Sequence, residues 1–200
     1  MVSIFLAHES MMKTYNIYIT GVGGQGIGLL SEVLLRAADY AGFRAKGVDT
    51  HGLAQRGGIV TSHLRIGDRV HSPLIRAGQA DVVVALERHE ALRGMNMFLR
   101  DGGTLIYYNT VWQPLEVRLN QAQEVSEATI SVECQRRHIR QIKVFQDDLE
   151  DARMQNMVLL AYINKHQLLP GVSAEHYTQA LDDLLTGTML EKNRQIFEKF

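Results

Sequence analysis

The residues best suited to chemistry in this chain form a glycine-rich segment, residues 21–26, with the sequence GVGGQG. The segment follows a predicted strand and precedes a predicted helix, which is the setting in which such a motif binds phosphate groups. Gly21 allows a tight turn, Gly23 lets the backbone approach a ligand, and Gly26 lets the helix pack close to the strand. The exposed N–H groups and the positive end of the helix dipole would then face one point and favour an anion there.

The candidate cofactor-binding residues of this segment are therefore Gly21, Gly23, Gly24, Gln25 and Gly26. The same glycines would also suit close packing of the helix on the strand with no ligand bound. Several unrelated functions use this motif, so the segment alone leaves both interpretations open.

A second group of candidate residues lies at the end of the second predicted strand and in the loop after it. Asp49 ends that strand, about where an acidic residue contacts a ribose hydroxyl in dinucleotide-binding folds. His51, Gln55 and Arg56 come next, at the carboxyl edge of the sheet, where open α/β folds place their ligands. Because a guanidinium group can hold a phosphate or a carboxylate through two hydrogen bonds, we predict a cofactor contact here. The alternative is that Gln55 and Arg56 contact another subunit or close the loop internally.

Three titratable residues, Glu87, His89 and Glu90, occur together at the start of a predicted helix. They could form an acid–base set. Acidic residues at a helix start also complement the helix dipole, and we interpret these three as a solvated helix cap.

The pattern around the glycine segment predicts alternating strands and helices. Residues 15–20 alternate in polarity and are rich in β-formers, which indicates a strand. Apolar residues then recur at helical spacing from Ile27 to Ala41, and Gly42 is suited to end that helix. Residues 43–48 form the second predicted strand. We therefore expect a βαβ unit with parallel strands and a right-handed crossover.

The rest of the chain continues the alternation of strands and helices. Gly67 and Asp68 signal a hairpin turn that leads into residues 69–71. A helix is predicted from about Glu87, and the pattern from Asp147 onward is helical, with breaks at Pro170 and Gly171 and again at Gly187. Further strands are predicted at residues 59–66, 80–86, 104–108, 130–133 and 142–145.

This pattern predicts an α/β fold. We expect a three-layer α/β/α Rossmann-like sheet, mostly parallel with one β-hairpin, and C-terminal helices packed on it. Residues 13–200 are predicted to form a single domain, and residues 1–12 a loose N-terminal extension.

Composition excludes several classes of protein. The chain has 200 residues and a formal net charge of −1, which argues against a dedicated nucleic-acid binder, since that class needs a basic face. Its one cysteine, Cys134, excludes an internal disulfide and also a four-thiolate iron–sulfur cluster or a zinc knuckle held by this chain alone. No stretch approaches the roughly 20 apolar residues of a membrane span, so we expect a cytoplasmic protein.

Three segments read in order give a more specific signal. They are residues 21–26, residues 49–67 with the sequence DTHGLAQRGGIVTSHLRIG, and residues 72–93 with the sequence SPLIRAGQADVVVALERHEALR. In this order they resemble the γ-type small subunit of 2-oxoacid:ferredoxin oxidoreductases, with the small subunit of indolepyruvate ferredoxin oxidoreductase as the closest form. The resemblance continues through Asn109, Thr110, Pro114, residues 156–160, Asn193 and Phe197. Residues 121–140 differ from the indolepyruvate branch, which leaves the substrate open.

The resemblance implies a role in the oxidative decarboxylation of a 2-oxoacid with coenzyme A, giving an acyl-CoA and reduced ferredoxin. In this family thiamine diphosphate with Mg²⁺ performs the carbon chemistry, and iron–sulfur clusters carry the electrons. This chain has neither the diphosphate-binding signature nor the cysteines for those groups. The resemblance therefore implies an accessory subunit that needs a large catalytic partner, is inactive alone, and at most contacts coenzyme A. Ferredoxin would be reached through the complex, and a homodimer is a further expectation.

The family context also bears on a basic cluster and on Cys134. Arg136, Arg137, His138, Arg140 and Lys143 could meet the phosphates of coenzyme A or an acidic ferredoxin. We interpret them as a solvated face, and Cys134 as a buried or inert thiol.

Two other classes of protein stay open. An ATP-dependent adenylating enzyme of the ubiquitin-activating type also has a glycine-rich loop after its first strand, but it usually carries paired zinc cysteines. A plain NAD-binding module would share the glycine loop and Asp49, but it would leave residues 51–58 unexplained.

Overall fold

The computed structural model describes residues 13–51, 58–112, 124–149 and 151–200. These residues form a six-stranded sheet in the order β2-β3-β1-β4-β5-β6. The strands are β1 (Tyr15–Val22), β2 (Ala45–His51), β3 (Ile59–Ile66), β4 (Ala80–Ala85), β5 (Leu99–Tyr108) and β6 (Arg140–Val144). The helices are α1 (Ile27–Tyr40), α2 (Arg88–Phe98), α3 (Glu127–Arg136), α4 (Gln155–Lys165), α5 (Ala174–Leu184) and α6 (Gly187–Lys199), with a 3-10 turn at Ala152–Met154.

Helices cover both faces of this sheet, so the predicted three-layer α/β fold is confirmed. On one face α1 and α4 pack against the strands, and α5 packs outside α1. The core there includes Ile19, Leu30, Leu34 and Leu160, all fully buried. On the other face α2 and α3 enclose a smaller apolar cluster around Val83, Met95, Leu105 and Tyr107.

The first helix illustrates why this sequence folds as it does. The apolar residues of α1 recur at three- and four-residue intervals, so that Ile27, Leu30, Leu34 and Ala38 all face the sheet. The helix ends where Gly42 adopts a positive φ of 81°, and the Phe43 N–H then donates to the Ala38 carbonyl at 3.0 Å. The predicted stop at Gly42 is confirmed.

The strand pairing differs from the expected βαβ unit. β1 and β2 run in the same direction, but β3 lies between them and pairs antiparallel with both. The pairs β1–β4, β4–β5 and β5–β6 are parallel, as predicted. Polarity alternation identifies a strand but not its neighbours, because pairing is decided by packing between distant segments.

The hairpin is also in a different place from the one predicted. Residues 69–71 form no strand, and Gly67 ends β3 by donating its N–H to the Arg44 carbonyl at 2.9 Å. The antiparallel pair of consecutive strands is instead β2 and β3. Gly67 has a φ of 135°, a conformation that suits a strand end as well as a hairpin turn.

The strand predicted at residues 130–133 is wrong, because these residues lie within α3. Ser126 caps this helix by accepting a hydrogen bond from the Thr129 N–H at 3.1 Å. Ile130 and Cys134, four residues apart, are its buried residues, which is the spacing of one helix face.

The predicted strand at residues 142–145 corresponds to β6, and the predicted helical C-terminal part corresponds to α4, α5 and α6. Among the described residues no helix is both long and apolar enough to cross a membrane. The predicted N-terminal extension, residues 1–12, lies outside the described part of the chain.

Candidate functional site

The glycine segment forms the connection between β1 and α1. Gly21 still belongs to β1, and the Gly23 N–H donates to the Gly58 carbonyl at 2.9 Å. Gly24 and Gly26 have positive φ values of 104° and 78°, which other residues adopt only with strain. Gly26 is the N-cap residue of α1. Two of the glycines are therefore required by backbone conformation alone.

Gln25 stabilises the loop from inside. Its side chain is fully buried, and Oε1 accepts a hydrogen bond from the Val22 N–H at 2.7 Å. Its Nε2 donates to the Leu86 carbonyl at 3.1 Å, which ties the loop to the residue after β4. Gln25 is one of the predicted ligand residues. Its buried amide holds the shape of the loop, and a direct contact with a ligand stays a prediction.

Two of the loop glycines are also required by packing. A Cβ atom at Gly21 would lie 2.7 Å from Gln25 Oε1 and 3.0 Å from Leu86 Cβ. A Cβ atom at Gly26 would overlap the side-chain amide of Asn156. Gly24, in contrast, has no atom within 4 Å of such a position and is open to solvent. Packing thus requires a glycine at positions 21 and 26, and ligand binding by the loop stays a prediction.

The start of α1 is open to a ligand. None of the described side chains caps this helix, and its first turn contains no acidic residue. The first N–H groups of a helix have no partner within the helix, so together with the dipole they favour an anion.

A cleft of about 800 Å³ lies directly over this helix start. It is bounded by Gly24 and Gly26 on one side, and by Arg153, Asn156 and Lys192 on the other. A smaller cavity of about 440 Å³ adjoins it, sharing Met154 and Lys192, and extends along α6.

The cleft wall is cationic but partly neutralised. Asp151 also lines it, and its carboxylate pairs with the Arg153 guanidinium at 2.6 Å. Hydrogen bonds from Arg153, helped by the charge of Lys192, lower the pKa of Asp151 to about 2. An anion in the cleft would therefore meet the helix start together with a lysine and an arginine that already interact with one carboxylate.

Asp49 lies beside the first half of α1, held by two hydroxyl groups. Its Oδ1 accepts hydrogen bonds from Ser62 at 2.6 Å and from Ser31 at 3.2 Å. This carboxylate joins α1 to β2 and β3 through Oδ1, and neither serine uses its Oδ2 atom.

The structure brings only some of the predicted site residues together. Gly23, Gly24 and Gly26 share the loop, whereas His51 ends β2 opposite Val60 of β3. Gln55 and Arg56 lie outside the described residues, so their predicted roles stay predictions.

Asn156, Arg153 and Lys192 form the opposite side of the cleft, and sequence reasoning missed all three as site residues. They approach the loop from a distant part of the chain, and spacing within the loop contains no information about them. The one available signal was the resemblance of residues 156–160, which includes Asn156.

Glu87 caps α2 and Glu90 lies in its first turn, but both are buried, so the prediction of a solvated cap is wrong in that respect. Glu87 Oε1 accepts a hydrogen bond from the Glu90 N–H, and Glu90 Oε2 accepts one from the Thr20 hydroxyl at 2.8 Å. Burial raises the pKa of Glu87 to about 7, against the opposing effect of nearby backbone N–H groups. The cap is buried because it directly follows the buried strand β4.

The predicted basic cluster consists mainly of exposed residues that have partners. Arg136 pairs with Glu133, Arg137 with Asp101 at 2.7 Å, and Lys143 with Glu127 at 2.7 Å. Arg137 is the exception to the solvated face, because its guanidinium also donates to the carbonyls of Met95 and Leu99.

Cys134 is buried, and burial raises the pKa of its thiol to about 11, which agrees with an inert residue. Among the described residues no group of three or more His, Cys, Asp or Glu side chains could hold a metal ion.

A mixed sheet between helical layers, with a glycine loop that opens the first helix, defines a Rossmann-like α/β protein. Residues 16–199 match the pyruvate ferredoxin/flavodoxin oxidoreductase family, and the chain belongs to that family.

Curated relatives support this assignment over part of the chain. Indolepyruvate oxidoreductase subunit IorB of Archaeoglobus fulgidus is 50% identical over 95 residues, covering 48% of this chain and 46% of that protein. The same subunit of Pyrococcus horikoshii is 40% identical over 111 residues, covering 56% of this chain and 54% of that protein. The chain thus spans about half the length of the curated relatives that it matches.

Solved structures share the fold. The γ subunit of a keto/oxoacid ferredoxin oxidoreductase from Geobacter sulfurreducens has a TM-score of 0.62 at 23% identity, covering 92% of this chain and 94% of that one. A 2-oxoglutarate:ferredoxin oxidoreductase from Magnetococcus marinus, solved with 2-oxoglutarate, coenzyme A and succinyl-CoA bound, has a TM-score of 0.64 at 18% identity. That match covers 94% of this chain but 30% of the other, so the same fold occurs there as part of a much longer chain.

Proposed function

We propose that this chain is the small accessory subunit of a cytoplasmic 2-oxoacid:ferredoxin oxidoreductase and acts beside a larger catalytic subunit. The observation that carries the proposal is the family match over residues 16–199 in a chain whose one cysteine could not hold a four-thiolate cluster. The larger subunit carries thiamine diphosphate, Mg²⁺ and iron–sulfur clusters. Bound to that partner, thiamine diphosphate would supply the electron sink that decarboxylation needs, and the clusters would supply the path for electrons to ferredoxin.

This chain contributes one wall of the coenzyme A path. The uncapped start of α1 and the cations of the cleft suit the phosphates of coenzyme A, which are multiply charged anions. The loop N–H groups and Lys192 would bind and orient that end of the molecule, while the acyl transfer itself takes place on the partner subunit. Arg56 belongs either to the same path or to the contact with the partner.

The substrate we propose is indolepyruvate or another arylpyruvate. The support is the name of the curated relatives, each described as an indolepyruvate oxidoreductase subunit. An NAD-binding or ATP-binding module is the other candidate, and Asp49 is compatible with it because Ser31 and Ser62 bond only its Oδ1 atom. The family match over residues 16–199 favours the oxidoreductase subunit.

Reconstitution of the complex tests the proposed function. We expect the purified chain to be colourless and inactive with 2-oxoacids, because its cysteine content allows no cluster of its own. Adding the cognate large subunit should produce indolepyruvate-dependent and coenzyme A-dependent reduction of ferredoxin or of a viologen dye. Pyruvate and 2-oxoglutarate, assayed in parallel, report on substrate choice. A purified chain that decarboxylates 2-oxoacids unaided, or a large subunit equally active without this chain, would contradict the proposal.

A further inference from the structure

One buried asparagine joins the glycine loop to the C-terminal helices. Asn156 is only 4% exposed, and its Nδ2 donates to the Gly26 carbonyl at 3.1 Å. Its Oδ1 accepts a hydrogen bond from the Met157 N–H at 2.8 Å. Because an N–H group needs the amide oxygen and a carbonyl needs the amide nitrogen, the two partners together fix the orientation of this side chain.

The Asn156 side chain therefore links the starts of two helices. Gly26 is the N-cap residue of α1, and Met157 lies in the first turn of α4. Both helix starts border the same cleft, where Asn156 and Gly26 are lining residues. The amide bonds one backbone group at each start, as a second partner for the Gly26 carbonyl and as the acceptor for the Met157 N–H. It adds no charge, so it leaves the positive potential of both helix starts intact.

The fit between Asn156 and Gly26 is also steric. A Cβ atom at position 26 would overlap the Asn156 amide, so the asparagine occupies the space that the glycine leaves open. Gly26 has a φ of 78°, and its carbonyl accepts hydrogen bonds from Asn156 Nδ2 and from the Leu30 N–H, each at 3.1 Å. The backbone conformation of the loop and the rotamer of Asn156 therefore depend on each other.

We propose that Asn156 is the positioning residue of the glycine loop, holding the Gly26 carbonyl so that the first N–H groups of α1 face the cleft in one fixed arrangement. The hold on the loop follows from the contacts of Asn156. Its effect on coenzyme A rests in addition on the proposed function.

Amide hydrogen exchange in the full-length chain tests the hold on the loop. Asn156→Asp has nearly the same size and keeps an oxygen for the Met157 N–H, but it loses the donor to Gly26. We expect the hydrogen-bonded amides of Gly23, Gln25 and Leu30 to exchange about tenfold faster in this variant, the effect of losing one hydrogen bond from the loop. Asn156→Ala, which adds no charge, should show the same direction and provides a second variant if the aspartate does not fold.

Asn193→Asp is the matched control for exchange. Asn193 is also buried and lines the same cleft, but its Nδ2 donates to the Met189 carbonyl within α6 at 2.7 Å and not to the loop. The Asn193→Asp variant introduces the same charge into the same cleft but breaks no hydrogen bond to the loop. Its loop amides should therefore exchange as in the wild type. Unchanged loop exchange in both Asn156 variants, or an equal rise in Asn193→Asp, would overturn the proposal.

Kinetics of the reconstituted complex separate the positioning role from the proposed ligand. We expect Asn156→Ala, which adds no charge that would itself repel an anion, to raise the KM for coenzyme A about tenfold while kcat is kept, because the loop binds and does not react. Asn164→Ala, in the same helix two turns away, should leave the KM unchanged. Faster loop exchange with an unchanged KM would support the positioning role of Asn156 and contradict the proposed contact between the loop and coenzyme A.

Discussion

At the scale of single residues, glycines of the loop meet two different requirements, a positive φ and close packing, and a sequence motif does not distinguish them. Gly24 and Gly26 both have positive φ values, but only Gly26 faces another side chain at close range. The two positions therefore offer a way to separate backbone strain from crowding within one loop.

We expect Gly26→Ala to be much more destabilising than Gly24→Ala. The alanine at position 24 should cost only the left-handed conformation, about 1–2 kcal/mol. The alanine at position 26 carries that cost and must also displace Asn156, which raises the loss to about 3–5 kcal/mol. Urea unfolding of the two variants measures the difference, and adding Asn156→Ala to the Gly26→Ala chain should recover part of it. Equal losses of unfolding free energy at the two positions would mean that the Asn156 side chain moves aside at little cost.

Glu87 should make stability depend on pH near neutrality. It is fully buried and its pKa lies at about 7, with Glu90, itself buried beside Arg93, as the nearest carboxylate. An unfolded glutamate has a pKa of about 4.3, so the folded state binds the proton more tightly. The contribution of Glu87 is therefore fully present below about pH 4.3 and is lost as pH rises through about 7.

Glu87→Gln tests this pH dependence, because glutamine resembles the neutral acid. We expect the variant to lose less stability than the wild type between pH 5 and pH 8, as measured by urea unfolding. The exposed Glu175→Gln provides the control and should leave the wild-type curve unchanged. Parallel curves for wild type and Glu87→Gln would show that Glu87 is ionised throughout this range.

At the scale of elements, α6 supplies the second side of the cleft. Lys192 lies on this helix, exposed, and interacts with Asp151 across the cleft wall. A cation held on a helix near the start of α1 adds to the potential that attracts a phosphate.

We expect Lys192→Ala to raise the KM of the complex for coenzyme A about three- to tenfold. The effect should shrink as ionic strength rises, because an exposed charge is screened by salt. Lys165→Ala, on the exposed end of α4 and outside the cleft, is the matched control and should not change the KM. Steady-state kinetics at low and high salt measure both, and a salt-independent effect would indicate packing instead of charge.

The elements also show how far the sequence determines this fold. Strand β1, the glycine loop and α1 could be predicted because polarity alternation, glycine spacing and helical periodicity are local signals. The position of β3 could not, because its partners are chosen by packing across the sheet. Residues 130–133 were mistaken for a strand since Ile130 and Val132 are β-branched, although the Ser126 cap and the four-residue spacing to Cys134 favour a helix.

At the scale of the whole molecule, only one side of the candidate site, the glycine loop, could be predicted from the sequence. The loop itself was evident, but Asn156, Arg153 and Lys192 reach it from the last quarter of the chain. Gln25 was placed among the ligand residues because the motif suggests exposure, whereas its amide is used by Val22 and Leu86. Tertiary contacts decide both points, and single-sequence patterns contain no record of them.

The hydrogen bond between Asn156 and Gly26 spans 130 positions of the sequence, and this separation has a consequence for biosynthesis. Synthesis proceeds from the N-terminus, so β1, the loop and α1 leave the ribosome long before the asparagine that holds them. A nascent or prematurely terminated chain can begin its sheet, but its loop lacks the partner that fixes its shape. Only polypeptides translated past α6 would then have both Asn156 and Lys192 in place at the proposed anion site, so truncated products would not compete with intact subunits for a charged ligand.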